Sequence, residues 1–268
     1  MQVSLPSYFS SGEGPAVILL HSTLSSKNQW RSLSTLLETD YRVIAVDLYG
    51  YGDTPAPTVV DDFTLLDEAK LVESLLDELL LPDEPFHLVG HSYGGAVALR
   101  LCHHAPSRVS TLTLFEPVAF HLLSPSDPAL SRVFTLRQEL GRMIEAGLRE
   151  EAVETFIDYW GGPGTFAKFP PRVQKDFEAR ADKLLLDFIA LTHTNLTLKE
   201  YRTLKLPVTL IAGKSSKGPA LRVAEALAQT LPQCRMVWVE TGHMGPVTDP
   251  DVVNPVIRES LFTALGEK

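Results

Sequence analysis

Apolar and polar positions along this chain follow two different rhythms. Through the first 115 residues, short apolar runs alternate with stretches of helical period. Val17 to Leu20, Val43 to Val46, Phe86 to Val89 and Leu112 to Phe115 are short, bounded runs that predict buried strands. Between them, Trp30 to Leu37 sets Trp30, Leu33, Leu36 and Leu37 on one helix face, Leu65 to Leu80 is strongly amphipathic, and Ala96 to Cys102 reads as a helix. The alternation resumes after residue 206. Val208 to Ala212 and Met236 to Val239 predict strands, and Ala220 to Leu231 and Val252 to Leu265 predict helices. Strands alternating with helices imply βαβ units, and hence an α/β fold with a mostly parallel central sheet flanked by helices.

Between residues 121 and 203 the strand rhythm stops. Helical spacing takes over at Val133, Leu136, Leu140, Met143 and Ile144, then at Val153, Phe156, Ile157 and Trp160, then at Leu184, Leu185, Phe188 and Ile189. Trp160-Gly161-Gly162-Pro163-Gly164 breaks the pattern. An all-helical block inserted into an α/β sheet predicts a lid, residues 121–203, on a core domain made of residues 1–120 and 204–268. The alternative is helical packing with no role at a site.

Composition narrows the function classes. Against 33 Asp and Glu stand 24 Lys and Arg, a formal net charge of −9 that argues against a general nucleic-acid surface. No apolar run approaches the roughly 18 residues needed to span a bilayer, and Met1 to Ser10 carries no signal-peptide pattern, so a cytoplasmic protein is expected. Cys102 and Cys234 fit no metal spacing, and neither a metal nor a cofactor is expected. The expected partner is a small-molecule acyl substrate.

The chemistry begins at Gly90-His91-Ser92-Tyr93-Gly94. A Gly-x-Ser-x-Gly between a strand and a helix is a nucleophile elbow, a turn sharp enough to present the serine hydroxyl at its tip. A serine needs a base, the base needs an orienting group, and the developing oxyanion needs N–H donors. His243, in the loop Thr241 to Pro246 after the last predicted strand, is the candidate base. Tyr93 supplies one candidate oxyanion N–H. Thr23, in the loop Leu19 to Thr23, supplies the other, with Ser22 as the alternative and His21 as a brace. The Thr23 hydroxyl is expected either to reach substrate or to bond locally within its turn.

Taken together, Leu20-His21-Ser22-Thr23, Asp47-Leu48-Tyr49-Gly50-Tyr51-Gly52-Asp53-Thr54, the elbow at Ser92 and Gly242-His243 resemble the α/β-hydrolase superfamily over nearly the whole chain. The resemblance implies the fold, the helical lid and serine-hydrolase chemistry, with the Asp47–Thr54 loop mainly structural. Two departures stand out. Ser22 occupies a position where members of that superfamily usually carry glycine. The acid usually found after the strand that follows the lid is absent, because Ser216 stands there. Glu116, at the end of the strand before the lid, is the expected substitute, with a surface or lid-hinge glutamate, a Ser–His dyad or an acid elsewhere as the alternatives, and haloalkane dehalogenases are similar in drawing an acid from that strand. The halide chemistry does not carry over, because Ser92 stands where those enzymes have an aspartate.

Tyr159, Trp160 and His121 are expected to line the substrate pocket. The leading expectation is a serine esterase. Cleavage of a C–C bond, a thioester or a lactone, cofactor-free lyase or perhydrolase chemistry, and a non-catalytic ligand receptor remain as alternatives on the same residues.

Overall fold

A computed structural model describes residues 5–262. Seven strands form one sheet: β1 (Tyr8–Ser11), β2 (Ala16–Leu20), β3 (Arg42–Val46), β4 (Phe86–His91), β5 (Val109–Phe115), β6 (Val208–Gly213) and β7 (Cys234–Val239). Their spatial order is β1-β3-β2-β4-β5-β6-β7. All neighbouring pairs are parallel except β1 against β3.

The continuous apolar runs of the sequence are the central strands. β2, β4 and β6 are buried along their whole length, as a sheet covered on both faces requires. Side chains alternate between two cores. Val17, Leu19, Val89 and Ile211 face a core that includes Trp30, just before α1 (Arg31–Leu37), Leu33 and Leu37 of that helix, and the C-terminal helix. Ile18, Leu20, Leu88 and Leu210 face the other, with α2 (Leu65–Leu79) and α3 (Tyr93–His104). β1 carries no sequence signal because it is a half-exposed edge strand, Tyr-Phe-Ser-Ser, with no apolar run.

Five helices stand between β5 and β6: α4 (Pro128–Glu145), α5 (Arg149–Gly161), α6 (Pro171–Glu178), α7 (Ala181–Thr192) and α8 (Leu198–Tyr201). Asp127 caps α4 by accepting from the Ala129 N–H, with Pro128 at the first helical position. The expected break falls where α5 ends, at Gly162 with φ of 92°. After β6 come α9 (Pro219–Thr230), α10 (Gly245–Thr248) and α11 (Pro250–Phe262). The last three residues expected in α11 lie outside the described residues. Helix α3 begins at Tyr93, earlier than its apolar pattern, because Gly94 and Gly95 give its first turn no hydrophobic signature.

Candidate active site

The C-terminal ends of β2, β4 and β5 converge on one point, where ligands bind in open α/β sheets. Each end carries a residue in the left-handed region. Leu24 (φ 57°), Ser92 (φ 54°) and Glu116 (φ 42°) are the non-glycine residues with positive φ among the described residues. The elbow is crowded as well as bent. A Cβ on Gly94 would sit 2.4 Å from the carbonyl oxygens of Leu20 and His21, and one on Gly90 would sit 2.4 Å from the Gly94 carbonyl oxygen. A side chain at Gly94 would force the turn away from β2, and one at Gly90 would force the start of α3 away from β4.

Three sequence-distant side chains meet here. His243 Nε2 lies 3.0 Å from Ser92 Oγ, and His243 Nδ1 lies 2.7 Å from Glu116 Oε2. The other Glu116 oxygen accepts the Gly213 N–H at 2.8 Å. All three residues are buried, Glu116 completely. Burial pushes the Glu116 carboxyl up. The hydrogen bond and charge of His243, with the Ser216 hydroxyl and the Gly213 N–H, outweigh that and hold it below the usual range. Ser216, at the position where the superfamily's acid is expected, is buried near Glu116. With Nδ1 committed to a carboxylate, Nε2 is free to take a proton from Ser92.

Two further histidines brace the surrounding loops in fixed tautomers. The Leu48 N–H donates to His21 Nε2 at 3.1 Å, so His21 Nδ1 donates to the Ser22 carbonyl at 2.8 Å. His91 Nε2 donates to the His243 carbonyl at 2.8 Å, and His91 Nδ1 accepts from Gln29 at 3.1 Å. Gln29 Oε1 in turn accepts from the Ser22 N–H and hydroxyl. Ser22 in place of glycine thus adds a donor to this brace. Burial drops His21 to about 4 and takes His91 well below its ordinary value, so both stay neutral at pH 7. Asp47, buried, accepts from the Lys27 and Asp53 N–H groups and pairs with the Lys27 ammonium, which makes its loop a structural clamp.

The candidate oxyanion donors are positioned by an ionic cluster that sequence reasoning missed. Tyr93 opens α3, so its N–H is one that the helix leaves unpaired. Among the described residues the Thr23 N–H meets no protein acceptor. The Thr23 hydroxyl does not bond within its own turn. It donates to Asp187 of α7 at 2.7 Å, because Asp187 is buried beside it and needs donors. Tyr51 donates to the same oxygen at 2.7 Å. Lys183, one turn earlier on α7, pairs with Asp187 and lies 3.0 Å from Glu68 of α2, which also accepts from the Tyr93 hydroxyl at 3.0 Å. The ammonium sits over the rings of Tyr51 and Tyr93, at 4.8 and 4.7 Å. Burial works against the Lys183 charge, but Asp187 and Glu68 outweigh it and raise its pKa. Burial raises the Glu68 carboxyl, with Lys183 opposing. The sequence did carry a trace of this cluster. Glu68 lies on the apolar stripe of α2, and Lys183 and Asp187 form an i, i+4 pair in a mostly apolar helix.

A cavity of about 1380 Å³ opens on Ser92 and His243. Trp160 lines it and stacks on the His243 ring, with centroids 4.2 Å apart. The other two expected pocket residues lie elsewhere. Tyr159, next to Trp160 on α5, points to a different helix face, packs edge-on against Trp160 and is 41% exposed. His121 is half-buried against Tyr201, with Nδ1 directed at the Leu191 carbonyl, and burial of its ring drops it to about 4. Cys102 is buried with its thiol pushed up to about 12, a packing residue. Among the described residues, no group of three or more His, Cys, Asp or Glu side chains is placed to hold a metal, and no helix is long and apolar enough to cross a membrane.

Comparison with known proteins agrees with this architecture. Residues 17–256 match the model of the alpha/beta hydrolase family. Human monoacylglycerol lipase ABHD6 is 33% identical over 254 residues, covering 87% of this chain and 71% of that protein. A hydrolase from Pseudomonas aeruginosa PA01 superposes with a TM-score of 0.77 at 24% identity, covering 97% of this chain and 93% of that one. A thermophilic esterase from Thermogutta terrifontis superposes at 0.76 with 23% identity, covering 96% and 93%. A match over nearly the whole sheet, together with a relative at one-third identity, carries the conclusion that the chain belongs to the alpha/beta hydrolase family.

Proposed function

We propose that this chain is a serine hydrolase acting on a carboxylic ester or related acyl substrate through an acyl-enzyme intermediate. The observation that carries the reading is the buried series Ser92 Oγ, His243, Glu116, with separations of 3.0 and 2.7 Å. Ser92 Oγ attacks the acyl carbon while His243 Nε2 takes its proton. Glu116 keeps the imidazole in the required tautomer and offsets its positive charge. The N–H groups of Tyr93 and Thr23 stabilise the oxyanion. Collapse of the tetrahedral intermediate breaks the ester bond, and His243 returns the proton to the leaving alcohol. Water, deprotonated by His243, then attacks the acyl-enzyme and frees the acid and Ser92.

The helical insertion, residues 121–203, serves as the lid of a core formed by residues 1–120 and 204–268. Trp160, stacked on His243, supplies its contact with the site. The lipase activity in the name of the human relative is consistent with acyl-ester chemistry.

Intact-mass analysis after exposure to a fluorophosphonate tests the proposal without a guess about substrate. Wild type is expected to gain a single phosphonyl adduct and Ser92→Ala none. A folded wild type that gains no adduct refutes the assignment and leaves a ligand-binding protein.

A further inference from the structure

The cavity wall contributed by residues 168–180 is cationic. Lys168, Arg172, Lys175 and Arg180 all line it. Two of these charges are already answered. Lys175 pairs with Glu150 and Glu178, and Arg180 pairs with Asp176. Across the cavity Lys27 is held by Asp47 and Asp53. Lys168 and Arg172 have no ion-pair partner among the described residues. Lys168 helps to hold the Asp158 carboxyl low through its charge, but the Phe166 and Gly164 N–H groups, donating to that carboxylate at 2.9 and 2.6 Å, do more.

The cavity lining carries five cations, Lys27, Lys168, Arg172, Lys175 and Arg180, against two carboxylates, Asp53 and Asp176, in a chain whose net charge is −9. A lining with an excess of one sign concentrates ligands of the other. The same cavity holds Ser92 and His243 and the apolar side chains of Phe156, Trp160 and Phe177. The geometry points to an anion-recognition subsite: the acyl substrate of Ser92 carries a second, anionic group, a carboxylate or a phosphate, which Lys168 and Arg172 bind. Arg172 offers a planar fork suited to two oxygens at once, and Lys168 a mobile point charge. This inference rests on the serine-hydrolase reading, and the subsite selects among its substrates.

The test compares kcat/KM for three p-nitrophenyl esters at low ionic strength: the glutarate half-ester, its neutral methyl-capped counterpart, and a counterpart ending in phosphate. Wild type is expected to prefer at least one anionic ester, and the larger preference identifies the group. In the Lys168→Ala, Arg172→Ala double variant the anionic-to-neutral ratio should fall about tenfold, since each exposed pair contributes a few-fold. In wild type the ratio should shrink in about 0.5 M salt. A wild type without an anionic preference, or a preference the double variant keeps, overturns the subsite. Should none of the esters turn over, the decision passes to protection. Free glutarate or inorganic phosphate is expected to slow phosphonylation of Ser92 in wild type and to lose that effect in the double variant. Unchanged labelling in wild type overturns the subsite while leaving the nucleophile intact. Failure of Ser92 to label at all overturns the hydrolase reading, and the subsite with it.

Discussion

Replacing Lys183 by methionine removes one charge and keeps most of the stem that packs among the rings of Tyr51 and Tyr93. At 3.0 Å from Glu68, and with an effective dielectric near 20, the lost attraction is about 5.5 kcal/mol for that contact, and Asp187 contributes a second. The lysine no longer has to be desolvated, which returns several kcal/mol. Two buried carboxylates are then left without a cation, and the expected net loss is about 3–5 kcal/mol. That is a large share of the 5–15 kcal/mol typical of a folded domain. Urea unfolding at pH 7 measures it. The triple variant Glu68→Gln, Lys183→Met, Asp187→Asn retains hydrogen-bonding capacity without charge and should recover about 2 kcal/mol or more over the single variant. Because Glu68 already titrates high, the single variant should also lose less at pH 5 than at pH 7. A Lys183→Met protein within about 1 kcal/mol of wild type, or a triple variant no better than the single, would refute the reasoning.

Other outcomes follow from the same geometry. Glu116→Gln keeps the shape of the acid but favours the wrong imidazole tautomer, so kcat should drop by about 10⁴ with the fold retained; near-normal turnover would place the orienting acid elsewhere. Thr23→Val removes only the hydroxyl that anchors the loop to Asp187 and keeps the N–H. It should lower kcat about tenfold with little change in KM, and a pure KM effect would count against an oxyanion role. His21, His87, His91 and His121 all have pKa values lowered by burial, so the unfolded chain binds more protons than the native one below about pH 6.5. Urea midpoints should therefore fall steadily from pH 7 to pH 5. A flat profile would mean that these rings are protonated in the native state.

The sheet was legible because its central strands are buried on both faces and announce themselves as unbroken apolar runs. Ser92, His243 and Glu116, the residues proposed as nucleophile, base and acid, could be singled out for a different reason. Each sits just past a strand, in a loop whose residues the chemistry constrains. Glu116 took elimination, since the position after β6 holds Ser216, and the fold compensates by aiming both groups at one point. The ionic cluster was harder because it is assembled from α2, α3, α7 and two loops that lie far apart in sequence. A charged residue on an apolar stripe hints at a buried partner but does not name it. Tyr159 and Trp160 show the same limit from the other side. Adjacent residues on a helix point about 100° apart, so one of a pair can line a pocket while its neighbour does not, and only tertiary packing decides which does.

The backbone at Ser92 sits in a region that only glycine occupies comfortably, a cost of roughly 1–3 kcal/mol that the rest of the molecule must sustain. Ser92→Gly would relieve that strain while discarding little more than a hydroxyl. Selection for thermal robustness alone would therefore reward loss of the proposed nucleophile. An engineering campaign that ranks variants of this protein by melting temperature needs a labelling assay beside it, or it will enrich for stable, inert descendants.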